Sequence, residues 1–262
     1  MIGNASYTDQ VGTRLYRVAA EFGRLAGFLA SDSGHNAVAQ RYWMAALRAA
    51  HSSGDRAIGA NILGFMSIQS AWSGSPRDAV VLAESALQAE RHLTPAVNAL
   101  LYSRLAQAAA KDADQATWRR AQTKAEELLS RSNPDDEPQW IYWFTQAELS
   151  GVAGISLLEF GRPVEAERHL RQTVMQHDPS FVKDRAIWLS NLATARIGTG
   201  AIERACATAT EAVTLMRRVQ SPRIQARLAT QFRAAAEPFA TSAAVREFDA
   251  KYRSLTATPQ AT

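Results

Sequence analysis

The 262-residue chain has one cysteine, Cys206, so no disulfide can close within it. That economy fits a reducing compartment and points to a cytoplasmic protein. Glycine (14) and proline (9) are scarce. This excludes an all-β fold dense in tight turns, and equally a low-complexity linker. Residues 1–30 carry no basic segment followed by an unbroken apolar run, so no signal peptide is expected. No window of about 18 residues is apolar and free of charge, which excludes a membrane-spanning helix. Histidines 35, 51, 92, 169 and 177 never fall three to five residues apart, and no cysteine lies near them. A locally assembled metal site is therefore not expected. G-x-G-x-x-G, G-x-x-x-x-G-K-[ST] and G-x-S-x-G are all missing, so the common nucleotide loops and the nucleophile elbow are absent. No cofactor is expected, and the sequence reads as non-enzymatic.

Lysine is nearly absent too, at Lys111, Lys124, Lys183 and Lys251, so the net charge of +4 is carried by arginine. Most arginines have an acidic residue within a turn or two of helix, so the excess is dispersed. Arg217, Arg218, Arg223, Arg227 and Arg233 form the densest exception. Their two readings are a solvated helix face and a patch for an anionic partner. No nucleic acid is expected to bind through this chain.

What the chain does have is alanine throughout, the best intrinsic helix former, and an internal repeat. A glycine followed five residues later by alanine occurs at Gly34/Ala39, Gly74/Ala79, Gly161/Ala166 and Gly200/Ala205. A weaker copy is placed at Lys111–Ala116. Five units of about 40 residues result, at roughly 9–52, 56–92, 95–130, 139–177 and 183–218, with capping helices over 221–255.

Each unit reads as a helix pair. Leu15, Val18, Phe22, Leu25 and Leu29 recur at helical spacing before Gly34. Val38, Tyr42, Ala45 and Ala49 continue the pattern after it, and Ser53-Gly54 closes it. Gly161-Arg162-Pro163 and Ser75-Pro76 place turn chemistry between helices. The fold class predicted is all-α: a superhelical solenoid of about five helix pairs plus C-terminal helices, in one domain. Ser130–Pro138, polar and holding two prolines, is expected as a hinge-like break between units three and four. From Leu255 onward a frayed tail is expected.

Ala39-x3-Trp43-x2-Ala46, with Gly27 and Gly34 ahead of it, resembles the tetratricopeptide repeat (TPR). Gly154, Gly161, Ala166 and Leu170 match the same positions. The units are longer than the usual 34 residues, and the proline that ends a TPR is mostly missing. A second resemblance rests on Gln40-Arg41-Tyr42, Gly54–Ala60, Trp140-Ile141-Tyr142-Trp143-Phe144, Glu148-Leu149-Ser150-Gly151 and Ala244–Asp249. These segments resemble the C-terminal region of actinobacterial helix-turn-helix transcriptional regulators. Membership would imply a sensing module beside a DNA-binding domain, with a homodimer open. This sequence begins only a few residues before its first repeat helix, so DNA binding is carried over to no residue.

In a TPR solenoid the first helix of each pair lines the concave groove. That register assigns Arg24, Phe28, Asn61, Ile68, Trp72, Asn98, Tyr102, Trp143, Glu148 and Asn191 to ligand binding. Asparagine suits a peptide main chain because its amide both donates and accepts. Arg24 suits a carboxylate. The expected occupant is a protein or peptide, with a small signal molecule as the other reading. Trp140, Tyr142, Trp143 and Phe144 are expected at the start of the fourth unit's first helix. Packing on unit three and contact with a ligand are both open for them. Glu165 and His169 read as a surface pair, and Cys206 as a buried small hydrophobe.

Overall fold

A computed structural model describes residues 7–216, 218, 225, 226 and 228–256. The architecture is all-α and TPR-like, with no strand among the described residues. Helices run in antiparallel pairs: α1 (Asp9–Asp32) with α2 (Asn36–Ser53), α3 (Arg56–Trp72) with α4 (Pro76–Leu87), and α5 (Pro95–Lys111) with α6 (Gln115–Ser130). After these come α7 (Gln146–Glu159), α8 (Pro163–Gln176), α9 (Val182–Gly198) and α10 (Ile202–Met216). A π-helical turn, Leu228–Phe232, runs into the short α11 (Arg233–Ala236), and α12 (Ala243–Thr256) follows. Arg217, Arg223 and Arg227 of the basic group lie outside the described residues, as do most of the link into the capping helices and residues 257–262 of the expected tail. By its contacts the chain divides into two compact units, Met1–Leu149 and Ser150–Thr262.

The repeat is written in the turns. Backbone φ is positive at Gly34, Gly74, Ala113, Gly161 and Gly200, positions spaced by 40, 39, 48 and 39 residues. At each, the N–H of the following residue reaches the carbonyl five back. His35 bonds Ala30, Ser75 bonds Ser70, Asp114 bonds Ala109, Arg162 bonds Leu157 and Ala201 bonds Arg196, all at 2.8–3.0 Å. This is the Schellman closure, which needs a left-handed residue and so favours glycine. Five residues on, Ala39, Ala79, Ala166 and Ala205 are all fully buried, where the second helix presses on the first. Two of the pairs close over glycine. A Cβ on Gly27 would lie 2.3 Å from Trp43 Nε1, and one on Gly154 would lie 2.6 Å from Leu170 Cγ.

The third unit corrects the sequence reading. Its left-handed turn falls at Ala113 (φ 60°), two residues beyond the expected Lys111. The residue in the close-packed position is then Trp118, buried, in place of the small Ala116. With no glycine to mark the turn and no alanine to mark the contact, the spacing alone misplaced it.

The interval of 48 residues contains an insert, not a bare hinge. After α6 the chain makes 3-10 turns at Pro134–Asp136 and Gln139–Ile141. Between them the Glu137 carboxylate takes the N–H of Ala96 at 2.9 Å and the hydroxyl of Thr94. It thereby sits on the N-terminus of α5, where a negative charge is favoured. The aromatic run belongs to this insert and ends before α7 begins. In so tight a turn residues three apart share a side. Ile141 and Phe144 are buried against Val97, Leu100 and Ala125, Trp140 and Trp143 are half-buried, and Tyr142 is 72% exposed.

In the second unit α8 packs on α9, α9 on α10, and α12 on α10. The Arg196 guanidinium bridges Glu167 and Thr208. Glu165 pairs with Arg162 at 2.5 Å, while His169 Nδ1 lies 3.1 Å from Ser150 Oγ, so these two residues have different partners. Cys206 is buried, and that burial, with Glu203 and Asp249 nearby, pushes its thiol pKa up. Arg233 of the basic group is paired with Asp249 at 2.9 Å and lies over the Tyr252 ring.

Candidate partner-binding face

The first helices of the first unit, α1, α3 and α5, pack side by side. On α3 the residues Asn61, Phe65, Ile68 and Trp72 recur at helical spacing, so they share one face. The first three are apolar or amide groups between buried and half-buried, and Trp72 is half-buried. On α1 the same face carries Glu21, Arg24 and Phe28. On α5 it carries Arg104 and Lys111.

Three cations lie on three tryptophans along this face. The Arg24 guanidinium is 5.4 Å from the Trp140 ring centre, Arg104 is 5.9 Å from Trp143, and Lys111 Nζ is 4.0 Å from Trp72. Each contact adds about 0.5–2 kcal/mol depending on its desolvation. Trp140 and Trp143 are brought there by the insert, held by Glu137 at one end and by the buried Ile141 and Phe144 within it. The stem of Arg104 runs over Gly64, where a Cβ would meet Arg104 Cγ at 3.5 Å.

Arg24 is not an open fork waiting for a carboxylate. Its Nε and Nη2 both donate to one oxygen of Glu21, at 3.2 and 2.9 Å, and Nη1 donates to Asn61 Oδ1 at 3.4 Å. Only 14% of its side chain is exposed. Phe28 packs against Phe65 with ring centres 5.3 Å apart, and Phe65 stacks on Trp43 at 6.0 Å.

Six of the ten residues expected at the groove therefore meet on this face: Arg24, Phe28, Asn61, Ile68, Trp72 and Trp143. Asn98 and Tyr102 do not. Asn98 is buried, and its amide donates to the carbonyls of Glu90 (2.9 Å) and Leu93 (3.3 Å). The Tyr102 hydroxyl donates to the Glu90 carboxylate at 3.1 Å. Burial first, and then Glu90, pushes the Tyr102 pKa up to about 12. Both residues brace the α4–α5 connection. The two-residue shift at Ala113 is the cause: positions assigned to Asn98 and Tyr102 belong to Leu100 and Arg104. Glu148, buried at the start of α7, donates its backbone N–H to Thr145 Oγ1 at 3.4 Å. Asn191 is buried on α9 in the second unit, with its amide on the Ile187 carbonyl at 2.8 Å.

Sequence reasoning missed Glu21, Phe65, Arg104 and Lys111 as members of the face. Phe65 was within reach, since it lies four residues after Asn61 and three before Ile68. Arg104 and Lys111 required the corrected register. Among the described residues no group of His, Cys, Asp and Glu is placed to hold a metal ion, and no helix is long and apolar enough to cross a membrane.

No protein-family model and no curated protein matches the sequence. Solved structures do. Two crystal structures of TPR-like repeats from a Podosopora anserina putative kinesin light chain superpose with a TM-score of 0.50. The first, a point variant, is 15% identical, covering 74% of this chain and 93% of its own. The second is 14% identical, covering 76% and 96%. The TPR2AB domain of yeast Sti1, in a complex with pHSP90, covers 90% of this chain and 98% of its own at 14% identity, but its TM-score of 0.37 carries no weight. At these identities the likeness is one of fold.

Proposed function

We propose that this chain is a non-catalytic protein-interaction module whose α1–α3–α5 face takes an acidic peptide segment of a partner protein. The observation that carries the reading is the array of three cation–tryptophan pairs along one face of the first helices. A cation stacked on an indole is held in place, so the face keeps a fixed positive potential that attracts an acidic segment, and the ring edges offer apolar contact beside it. A TPR-like array also suits the task, because its stacked first helices form an extended surface rather than a closed pocket.

The wider context rests on sequence. The segments resembling actinobacterial helix-turn-helix regulators support a sensing role within a transcriptional regulator, and the lone cysteine supports a cytoplasmic setting. In that context partner binding would bias an attached or associated DNA-binding protein. A small signal molecule is the second ligand class that the regulator resemblance supports.

Three of the six tryptophans lie on this face, so intrinsic fluorescence reports its occupation. Titration with a set of acidic peptides carrying one aromatic residue should shift the emission, with affinity falling as salt rises. Arg104→Ala with Lys111→Ala should weaken binding about tenfold or more, which is about 1.4 kcal/mol. Equal binding of basic and acidic peptides, or full affinity in the double variant, would sink the proposal.

A further inference from the structure

Helix α1 is apolar on two opposite sides. The inner side is built of small residues: Ala20 and Gly27 are buried, and a Cβ on Gly23 would lie 2.9 Å from the Ala46 methyl of α2. The outer side carries Val11, Leu15, Val18, Phe22, Leu25 and Leu29, from 40% exposed at Leu15 to 70% at Phe22. A helix apolar on both sides is normally enclosed. Here the inner side alone meets α2 and α3.

The outer stripe advances by four, three, four, three and four residues. That is the alternation of a heptad seam, with a period of 3.5, which matches another helix wound against it. No charged residue interrupts the seam between Val11 and Leu29. The next seam positions are polar, Thr8 at one end and Asp32 at the other. The six side chains expose on the order of 600 Å², at the upper limit for apolar patches on monomers. With a polar rim they approach the roughly 800 Å² per partner of a stable interface.

We infer that α1 is a homodimerisation helix, pairing with α1 of a second copy as an antiparallel two-stranded coil. The order of side chains selects this occupant and this direction. In an antiparallel pair centred on Ala20, Val11 faces Leu29, Leu15 faces Leu25, and Val18 faces Phe22 of the second copy. Every layer then sets a residue against one of equal or complementary size, as dense packing requires. A parallel pair would put Phe22 on Phe22 and Val18 on Val18, alternately overfilling and underfilling the seam.

Sedimentation equilibrium tests the dimer. The expected mass is twice 28.6 kDa. Phe22→Asp should return it to 28.6 kDa with the helical circular dichroism retained, because Phe22 is the most exposed residue of the stripe. Met175→Asp, at an exposed apolar position on α8, should leave the dimer intact. A wild-type monomer up to hundreds of micromolar would overturn the inference. So would a Phe22→Asp dimer, or loss of the dimer in Met175→Asp. Direction is read by a short bismaleimide, since the native Cys206 is buried. Leu15→Cys mixed with Leu25→Cys should cross-link, and Leu15→Cys alone should not. Cross-linking of Leu15→Cys to itself would overturn the antiparallel register.

Discussion

Replacing Gly27 with alanine puts a methyl group where Trp43 already stands. The new Cβ would lie 2.3 Å from Nε1, 2.4 Å from Cδ1 and 2.8 Å from Cε2 of that indole. Trp43 has little room to retreat. It is 1% exposed, stacks on Phe65, and donates its ring N–H to the Arg24 carbonyl at 3.2 Å. Forcing a methyl into such packing costs about 1–3 kcal/mol. A displaced indole also gives up its hydrogen bond, about 1 kcal/mol more. Against these stands the helix preference of alanine over glycine, about 1 kcal/mol in favour of the variant. The expected net result for Gly27→Ala is a loss of about 2 kcal/mol, read from the urea midpoint of circular dichroism and tryptophan fluorescence. Trp43→Leu in the same background removes the indole ring that collides. The two changes should therefore cost less together than the sum of their separate effects, a coupling of about 0.5–3 kcal/mol. A Gly27→Ala protein as stable as wild type would refute the argument that the close approach of α1 and α2 requires a glycine.

Two further expectations rest on single positions. Ala113 holds a left-handed φ of 60° where the other turns of this ladder use glycine, so Ala113→Gly should relieve about 1–2 kcal/mol of strain. The greater freedom of glycine in the unfolded chain returns part of that, and a modest rise in melting temperature is expected; a fall would contradict the register assigned to the third unit. Tyr102, with its pKa raised from 10.0 to about 12, favours its neutral form in the folded protein. Its contribution to stability is therefore complete below pH 10 and is lost as pH rises through about 12. Tyrosinate absorbance should show a step near pH 12 that disappears in Tyr102→Phe, and persistence of that step in the variant would remove the assignment.

Local chemistry was enough to read the helix pairs. Gly34, Gly74, Gly161 and Gly200 close helices because a left-handed residue is cheapest as glycine, and the alanine five residues later marks where two helices touch. Both signals are carried by the residue itself and need no neighbour to be interpreted. The aromatic and polar residues of α1 and α3 on the candidate face were legible for the same reason: Arg24, Phe28, Asn61, Ile68 and Trp72 follow from helical spacing once the turns are known.

Tertiary structure decided what spacing could not. The third turn has alanine where glycine was sought and tryptophan where alanine was sought, so only the backbone at Ala113 located it. With it moved two residues, Arg104 and Lys111 joined the face while Asn98 and Tyr102 left it for the Glu90 turn. The role of the insert was equally hidden. Whether Trp140 and Trp143 point inward or away depends on the Glu137 carboxylate reaching the start of α5, a contact between residues about 40 positions apart in sequence. The periodic stripe on α1 is visible in the sequence as apolar residues at helical spacing, which leaves open what covers it. Only the packed structure showed that the core already had what it needed from Ala20 and Gly27, leaving Leu15, Phe22 and Leu29 in solvent. Sequence specifies which side chains a helix offers on each face, because that follows from 100° per residue. Which of those faces is covered depends on neighbours brought in by the rest of the chain.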